Sequence, residues 1–274
     1  MKSKNLISNF FDFMLLGGSS FLILPLMYIV FPPGQEVEKN LFNIILSISL
    51  LLDYAVNFPH FSYSYQIFYS NFNQKLFNRF DVGLRRKFIF AGIFVPIILL
   101  ILIVCATLTA HPALLSAIIN IRLLTFGWHY AKQGYGIFTL LCRLQNFTIN
   151  NIERRIILLN THIAWICAWV QFNSLDKSGR YFGVHFTSFV MPTWLIQLSL
   201  VVLVFSALIL VFILLRKYLL FRSYPPLNGV VAYLAAVYLW IAFRFGLGEG
   251  RGLELAYIFA PFFPCLINSH ISFK

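Results

Sequence analysis

FIFAGIFVPIILLILIVCATLTA, residues Phe88 to Ala110, is a run of 23 residues without a single charge. At 1.5 Å per residue a helix of that length covers about 35 Å, enough for the roughly 30 Å hydrocarbon core of a bilayer. The basic triplet Arg85, Arg86 and Lys87 stops the run at one end, and His111 with Pro112 stops it at the other. An uninterrupted apolar stretch of this length reads as a membrane span, and it sets the terms for the flanking sequence.

On either side the same pattern recurs. The chain has 274 residues, of which 59% are hydrophobic and 11% charged, against the roughly 25% charged expected of a soluble domain. Apolar runs cover Phe10 to Val30, Leu41 to about Tyr69, Phe88 to Ala110, Pro112 to about Leu144, Arg155 to Phe172, Thr187 to Leu215, Val230 to Phe245, and Leu253 to the C-terminus. The layout predicts an all-α fold, a polytopic membrane bundle of about eight transmembrane helices forming a single domain over residues 1–274. The second and fourth runs exceed what a bilayer needs, so they are expected to tilt, kink at Pro59, or extend past the membrane. No fixed-period repeat, low-complexity tract or domain linker interrupts the chain, and Asn173 to Gly183 reads as a polar outer loop.

The formal charge of +12 does not point to nucleic acid, because the 21 Lys and Arg residues are scattered in twos and threes between apolar runs. They act as topology signals. With the N-terminus inside, 14 of them fall in cytoplasmic segments and 4 on the opposite side, while Arg122, Lys132 and Arg244 lie within spans. That bias expects both termini in the cytoplasm. Lys2 and Lys4 precede a first run too long for a signal-peptide core and without a small-x-small cleavage site, so an uncleaved first span is expected. Cys105, Cys142, Cys167 and Cys265 each fall inside an apolar run without C-x-x-C spacing, which suggests neither a disulfide framework nor a zinc site.

Polar side chains inside spans are costly and usually face the bundle interior. On the second span Asp53, Asn57, His60 and Ser64 are spaced by four, three and four, which places them on one helical face. A structural hydrogen-bond seam accounts for Asn57 and Ser64; Asp53 and His60 ask for more. The fourth span carries Arg122, Thr125, His129, Lys132, Gln133 and Gly136 within about a third of the helix circumference. Such a cationic stripe calls for acids or an anionic ligand opposite, with Asp53 and then Glu254 as candidate partners. Lys132 could alternatively snorkel to the interface. His162, Trp165 and Trp169 share a face of the fifth span, and Tyr233, Trp240 and Arg244 lie at helical spacing on the seventh.

Depth connects the histidines. His162 lies seven residues after Arg155, His60 nine before Tyr69, His129 fifteen before Leu144, and His270 near the C-terminus. All four fall toward the cytoplasmic half of separate helices, whereas His111 and His185 lie toward the opposite side. Neutral imidazole is the commonest side-chain metal ligand. His60, His129, His162 and His270 are therefore the candidate metal ligands, with iron favoured over copper or zinc. Each of them taken alone reads more readily as a packed, satisfied histidine, and it is the shared depth that brings the metal reading level for His60, His129 and His162.

This polytopic layout, with single histidines on separate spans and the Pro59-His60 pair in an early one, resembles the bacteriorhodopsin-related protein family of bacterial and archaeal β-carotene dioxygenases. The resemblance implies a protein of the bacterial inner membrane that holds iron through histidines and cleaves a carotenoid. The family's early motif has glycine after the histidine and an acid four positions on, where this chain has Phe61 and Ser64. The sequence thus leads to a multi-histidine membrane oxidoreductase acting on a lipophilic substrate, a carotenoid, isoprenoid or lipid, that enters from the bilayer. In that reading Arg122 and Lys132 stabilise developing negative charge and Asp53 orients an imidazole. A proton-coupled carrier lined by the same residues is the alternative, opposed by the lack of any visible repeat. Acid and base chemistry by His and Asp without a metal also remains open.

Overall fold

The computed structural model describes residues 8–30, 39–109, 111–174, 178–181 and 184–246. The eighth apolar run, with Glu254, Cys265 and His270, lies outside them. The fold is all-α apart from one short hairpin. Helix α1 (Asn9–Phe13), capped by Ser8 Oγ accepting from the Phe11 amide, leads through a π-helical turn (Met14–Gly18) into α2 (Ser19–Val30). Gly17 interrupts what the sequence presents as one span, with a φ of 118° that side chains other than glycine rarely tolerate. A Cβ there would come within 2.4 Å of Ala235 Cβ, so the same glycine lets the turn press against the last described helix.

Helix α3 (Lys39–Tyr69) runs through Pro59 and is followed by α4 (Phe72–Gln74), a π-helical turn (Lys75–Arg79) and α5 (Val82–Ile89). A further π-helical turn (Phe90–Phe94) continues into α6 (Val95–Thr109). The end of α3 is tied to this segment: Tyr69 OH donates to the Gly92 carbonyl at 2.5 Å, and the Phe68 and Phe88 rings stack 4.2 Å apart. Helix α7 (Pro112–Leu144) begins with proline at its first turn, where the missing amide costs nothing. Helix α8 (Asn151–Phe172) opens on a capping box in which Asn150 Oδ1 accepts from the Glu153 amide and Glu153 accepts from the Asn150 amide, each at 2.8 Å. Strands β1 (Ser178–Tyr181) and β2 (Val184–Thr187) pair antiparallel with Ser178 opposite Thr187, so the expected outer loop holds a hairpin. Helices α9 (Thr193–Phe221) and α10 (Leu227–Gly246) complete the described chain.

The core lies where α7, α8, α9 and α10 meet, with Phe138, Ile157, Ala164, Leu203 and Val237 among its buried members. The N-terminal turn packs on α10, and Leu16 joins Ile137, Leu141 and Ala232 in a second cluster. Two helical stretches among the described residues, Val82–Thr109 and Thr193–Phe221, are long and apolar enough to cross a membrane. Little of either is buried, so most of their apolar surface faces outward, the condition that lipid satisfies and water does not. Leu227–Ala242 is apolar but shorter.

Candidate functional site

Small residues set how α7 packs. A Cβ at Gly134 would come within 2.4 Å of Ala236 Cβ and 3.3 Å of the Ala232 carbonyl, and one at Gly127 within 3.0 Å of the Trp165 ring. The two glycines let α7 close on α10 and α8, the small-residue crossing typical of helices in membranes. Arg122, Thr125, His129, Lys132, Gln133 and Gly136 centre roughly half a turn away from Gly127, Ala131 and Gly134 at 100° per residue. Exposure agrees with that geometry: Arg122, Thr125 and Gly136 are exposed, and His129, Lys132 and Gln133 are half-buried. A Cβ at Gly136 would meet nothing within 4 Å. The polar stripe of the fourth run therefore exists as one face, and that face is directed away from the α8, α9 and α10 core.

Three hydrogen bonds zip α8 antiparallel to α7. Trp169 Nε1 donates to the Asn120 carbonyl at 3.3 Å, Trp165 Nε1 to the Leu124 carbonyl at 2.7 Å, and Arg154 Nε to Tyr135 OH at 2.9 Å. His162 lies between them on the rim of the seam, half-buried, its ring 6.3 Å from that of Trp165. Lys132 is close enough to bear on His162 electrostatically, and its ammonium sits 6.0 Å from the Tyr135 ring. Lys132 meets no carboxylate among the described residues. Arg122, ten residues earlier and about 15 Å along the axis, places its guanidinium 4.9 Å over Phe126. The structure thus places Lys132 within electrostatic range of His162 and Arg122 about three turns away along α7.

Of the four candidate ligands, His129 and His162 have described side chains. His129 is half-buried on α7 with its ring edge-on to Tyr130 at 5.6 Å. Asp53 and His60 belong to α3, whose helical backbone is described there, but their side chains lie outside the described residues, as does all of His270. Among the described residues no group of three or more His, Cys, Asp or Glu is placed to hold a metal.

A cavity of about 60 Å³ lies between α7, α8 and α10, walled by Phe126, Gly127, Ala131, Trp165, Trp169 and Trp240 among others. It is apolar and far smaller than the roughly 300 Å³ or more of sites that enclose an organic ligand. Among the described residues the tryptophans pack around a space too small for an organic cofactor.

One polar constellation went unread in the sequence. Asn160 Oδ1 accepts from Tyr233 OH and Tyr238 OH, each at 2.7 Å, while Asn160 Nδ2 donates to Ser206 Oγ at 2.9 Å. Thr161 Oγ1 lies 3.1 Å from Tyr233 OH and donates to the Ile157 carbonyl at 2.8 Å. Asn160 and Thr161 are 1% and 0% exposed, so this network bolts α8 to α9 and α10 away from water. The signal was an asparagine in mid-span opposite two tyrosines five residues apart. Compared with protein-family models, characterised proteins and solved structures, the chain matches none. The resemblance to the β-carotene dioxygenases therefore rests on the residues that carry it.

Proposed function

We propose that the chain is an integral membrane enzyme, an eight-span bundle that modifies a lipophilic substrate on the outward polar face of α7. The observation that carries this reading is the arrangement of Lys132, His129 and His162. They lie on or beside a face turned from the packed core, and Lys132 has no carboxylate among the described residues. Imidazoles and an ammonium facing lipid would be costly, so the face asks to be covered by another span and to enclose something polar. Helix α3, with Asp53 and His60 at helical spacing, is the natural cover. Lys132 would hold developing negative charge, His129 and His162 would bind or move protons, and Asp53 would orient an imidazole.

The finer form of the proposal gives the site a metal, iron ahead of copper or zinc, held by His60, His129, His162 and His270. Two half-buried imidazoles on adjacent helices suit such an ion as part of a donor set, and the rest would come from α3 and the C-terminal segment. When bound, the metal would supply activation of oxygen.

The test is aerobic incubation of the purified protein in lipid nanodiscs with β-carotene or a membrane lipid extract, followed by mass spectrometry of the products. An oxygenated product that disappears in His129→Ala and His162→Ala supports the enzyme. A carrier is the second reading, favoured by one feature: from Arg122 to Gly136 the polar face covers about 21 Å of a roughly 30 Å hydrocarbon core. Proton flux in proteoliposomes that needs Lys132, with no product from any lipid, would decide for it.

A further inference from the structure

Beside the turn between α7 and α8 lies a second, larger cavity of about 570 Å³, open on one side, which begins at Gly136 where the polar face of α7 ends. Its lining includes Arg143, Asn146, Thr148 and Arg154. We infer that this cavity is a binding site for a phosphate group, carried by an anionic lipid headgroup or by a soluble phosphate compound.

The charge balance carries the inference. Neither Arg143 nor Arg154 meets a carboxylate among the described residues, and the nearby acid, Glu153, is committed elsewhere. Its carboxylate pairs with Lys217 at 2.6 Å and closes the capping box on the Asn150 amide. Lys217 is in turn held by the Thr148 carbonyl, lies 4.9 Å from the Phe147 ring and is not part of the cavity lining. Among the described residues, the cavity therefore has two guanidinium groups that no carboxylate pairs.

The donors are also positioned. Arg154 is anchored through Nε to Tyr135 OH at 2.9 Å, so its two terminal nitrogens remain as a fork, the geometry that matches phosphate oxygens. Asn146 holds its side chain on a left-handed backbone with φ of 57°, and neither its amide nor the Thr148 hydroxyl has another partner among the described residues. A cavity edged by two guanidiniums, an amide and a hydroxyl, with no carboxylate among its described lining, favours an anion. Its volume leaves room for a small ligand group held against an open surface. It lies at the end of α7 that the Lys and Arg bias expects in the cytoplasm, where anionic headgroups meet basic pockets between helices.

The experiment is native mass spectrometry of the intact protein in detergent, titrated separately with phosphatidylglycerol, phosphatidylcholine and inorganic phosphate. Arg143→Gln with Arg154→Gln should weaken binding of phosphatidylglycerol or phosphate by about tenfold or more, the scale of one lost charged hydrogen bond. Arg155→Gln, which removes one charge from an exposed neighbour that does not line the cavity, should leave it within about twofold. Asn146→Gly, which keeps the left-handed backbone and removes only the amide, should give a smaller loss in a folded protein. Cavity-dependent phosphatidylglycerol binding that phosphate does not displace assigns a lipid, and cavity-dependent phosphate binding assigns a soluble ligand. Equal losses in the double variant and in Arg155→Gln, or no preference for phosphatidylglycerol over phosphatidylcholine together with no phosphate binding, would overturn the site.

Discussion

Replacing Asn160 with alanine tests whether the buried network joins the helices as the geometry implies. The substitution removes three side-chain hydrogen bonds, two from the tyrosine hydroxyls at 2.7 Å and one to Ser206 at 2.9 Å. The three partners are not left equal. Tyr233 OH can turn fully to the Ile157 carbonyl at 3.1 Å, and Ser206 Oγ keeps its bond to the Leu203 carbonyl at 2.9 Å. Tyr238 OH has no second acceptor among the described residues. Interhelical hydrogen bonds in membranes average about 0.6 kcal/mol, giving about 2 kcal/mol for three. Stranding one partly buried hydroxyl adds about 1 to 2 kcal/mol. The expected destabilisation is thus about 3 to 4 kcal/mol, with Tyr238→Phe costing about 1 because it removes the hydroxyl along with its need for a partner. Unfolding in mixed detergent and dodecyl sulfate micelles, followed by tryptophan fluorescence with Trp165, Trp169 and Trp240 between α7, α8 and α10 among the reporters, reads both values. Combining the two changes should cost at least 1 kcal/mol less than their sum, because the stranded hydroxyl is gone. Additive effects, or a loss below about 0.5 kcal/mol for Asn160→Ala, would refute the claim that the network carries the junction.

The other predictions concern packing, the ion pair and topology. Gly134→Val should destabilise the protein by about 3 kcal/mol or more, since even a Cβ meets Ala236 at 2.4 Å; a melting temperature equal to wild type would contradict the close crossing of α7 and α10. Lys217→Met should cost about 1 to 2 kcal/mol, because Glu153 loses its partner but keeps the Asn150 amide. Glu153→Gln should cost less, since it retains the capping box, and a reversed order in thermal melts would be inconsistent with the pairing. Reporter fusions at Arg86 and Lys274 should read cytoplasmic and one at Lys177 external; an external Lys274 would remove the eighth span and His270 from the site.

Helices whose apolar runs end at strong local signals were legible from sequence. The Pro112 to Leu144 run is helix α7 with the same bounds, because Pro112 starts it and the polar Gln145 and Asn146 end it. The Thr187 to Leu215 run is displaced to Thr193–Phe221. Its first residue belongs to the hairpin, Pro192 fixes the true start, and Arg216 and Lys217 continue the helix where charge alone suggested its end. The break at Gly17 was hidden because Gly17 and Gly18 sit in an apolar run, and only a close neighbour, Ala235, makes the turn necessary. The polar face of α7 was readable from spacing, but not its direction, which depends on where Gly127 and Gly134 meet other helices. The Asn160 network was missed for the same reason: its members lie on α8, α9 and α10, and tertiary contact alone joins them.

The central claim, a histidine site on the polar face of α7, is tested most directly by the metal content of the purified protein and its variants, measured by inductively coupled plasma mass spectrometry. The account predicts about one first-row metal ion per chain, iron foremost, falling severalfold in each of His60→Ala, His129→Ala and His162→Ala while thermal stability without added metal stays close to wild type. Metal retained in the triple variant, or wild-type protein that binds none when supplied with ferrous iron, copper or zinc, would contradict it and leave Lys132 and His162 to a carrier or to acid and base chemistry.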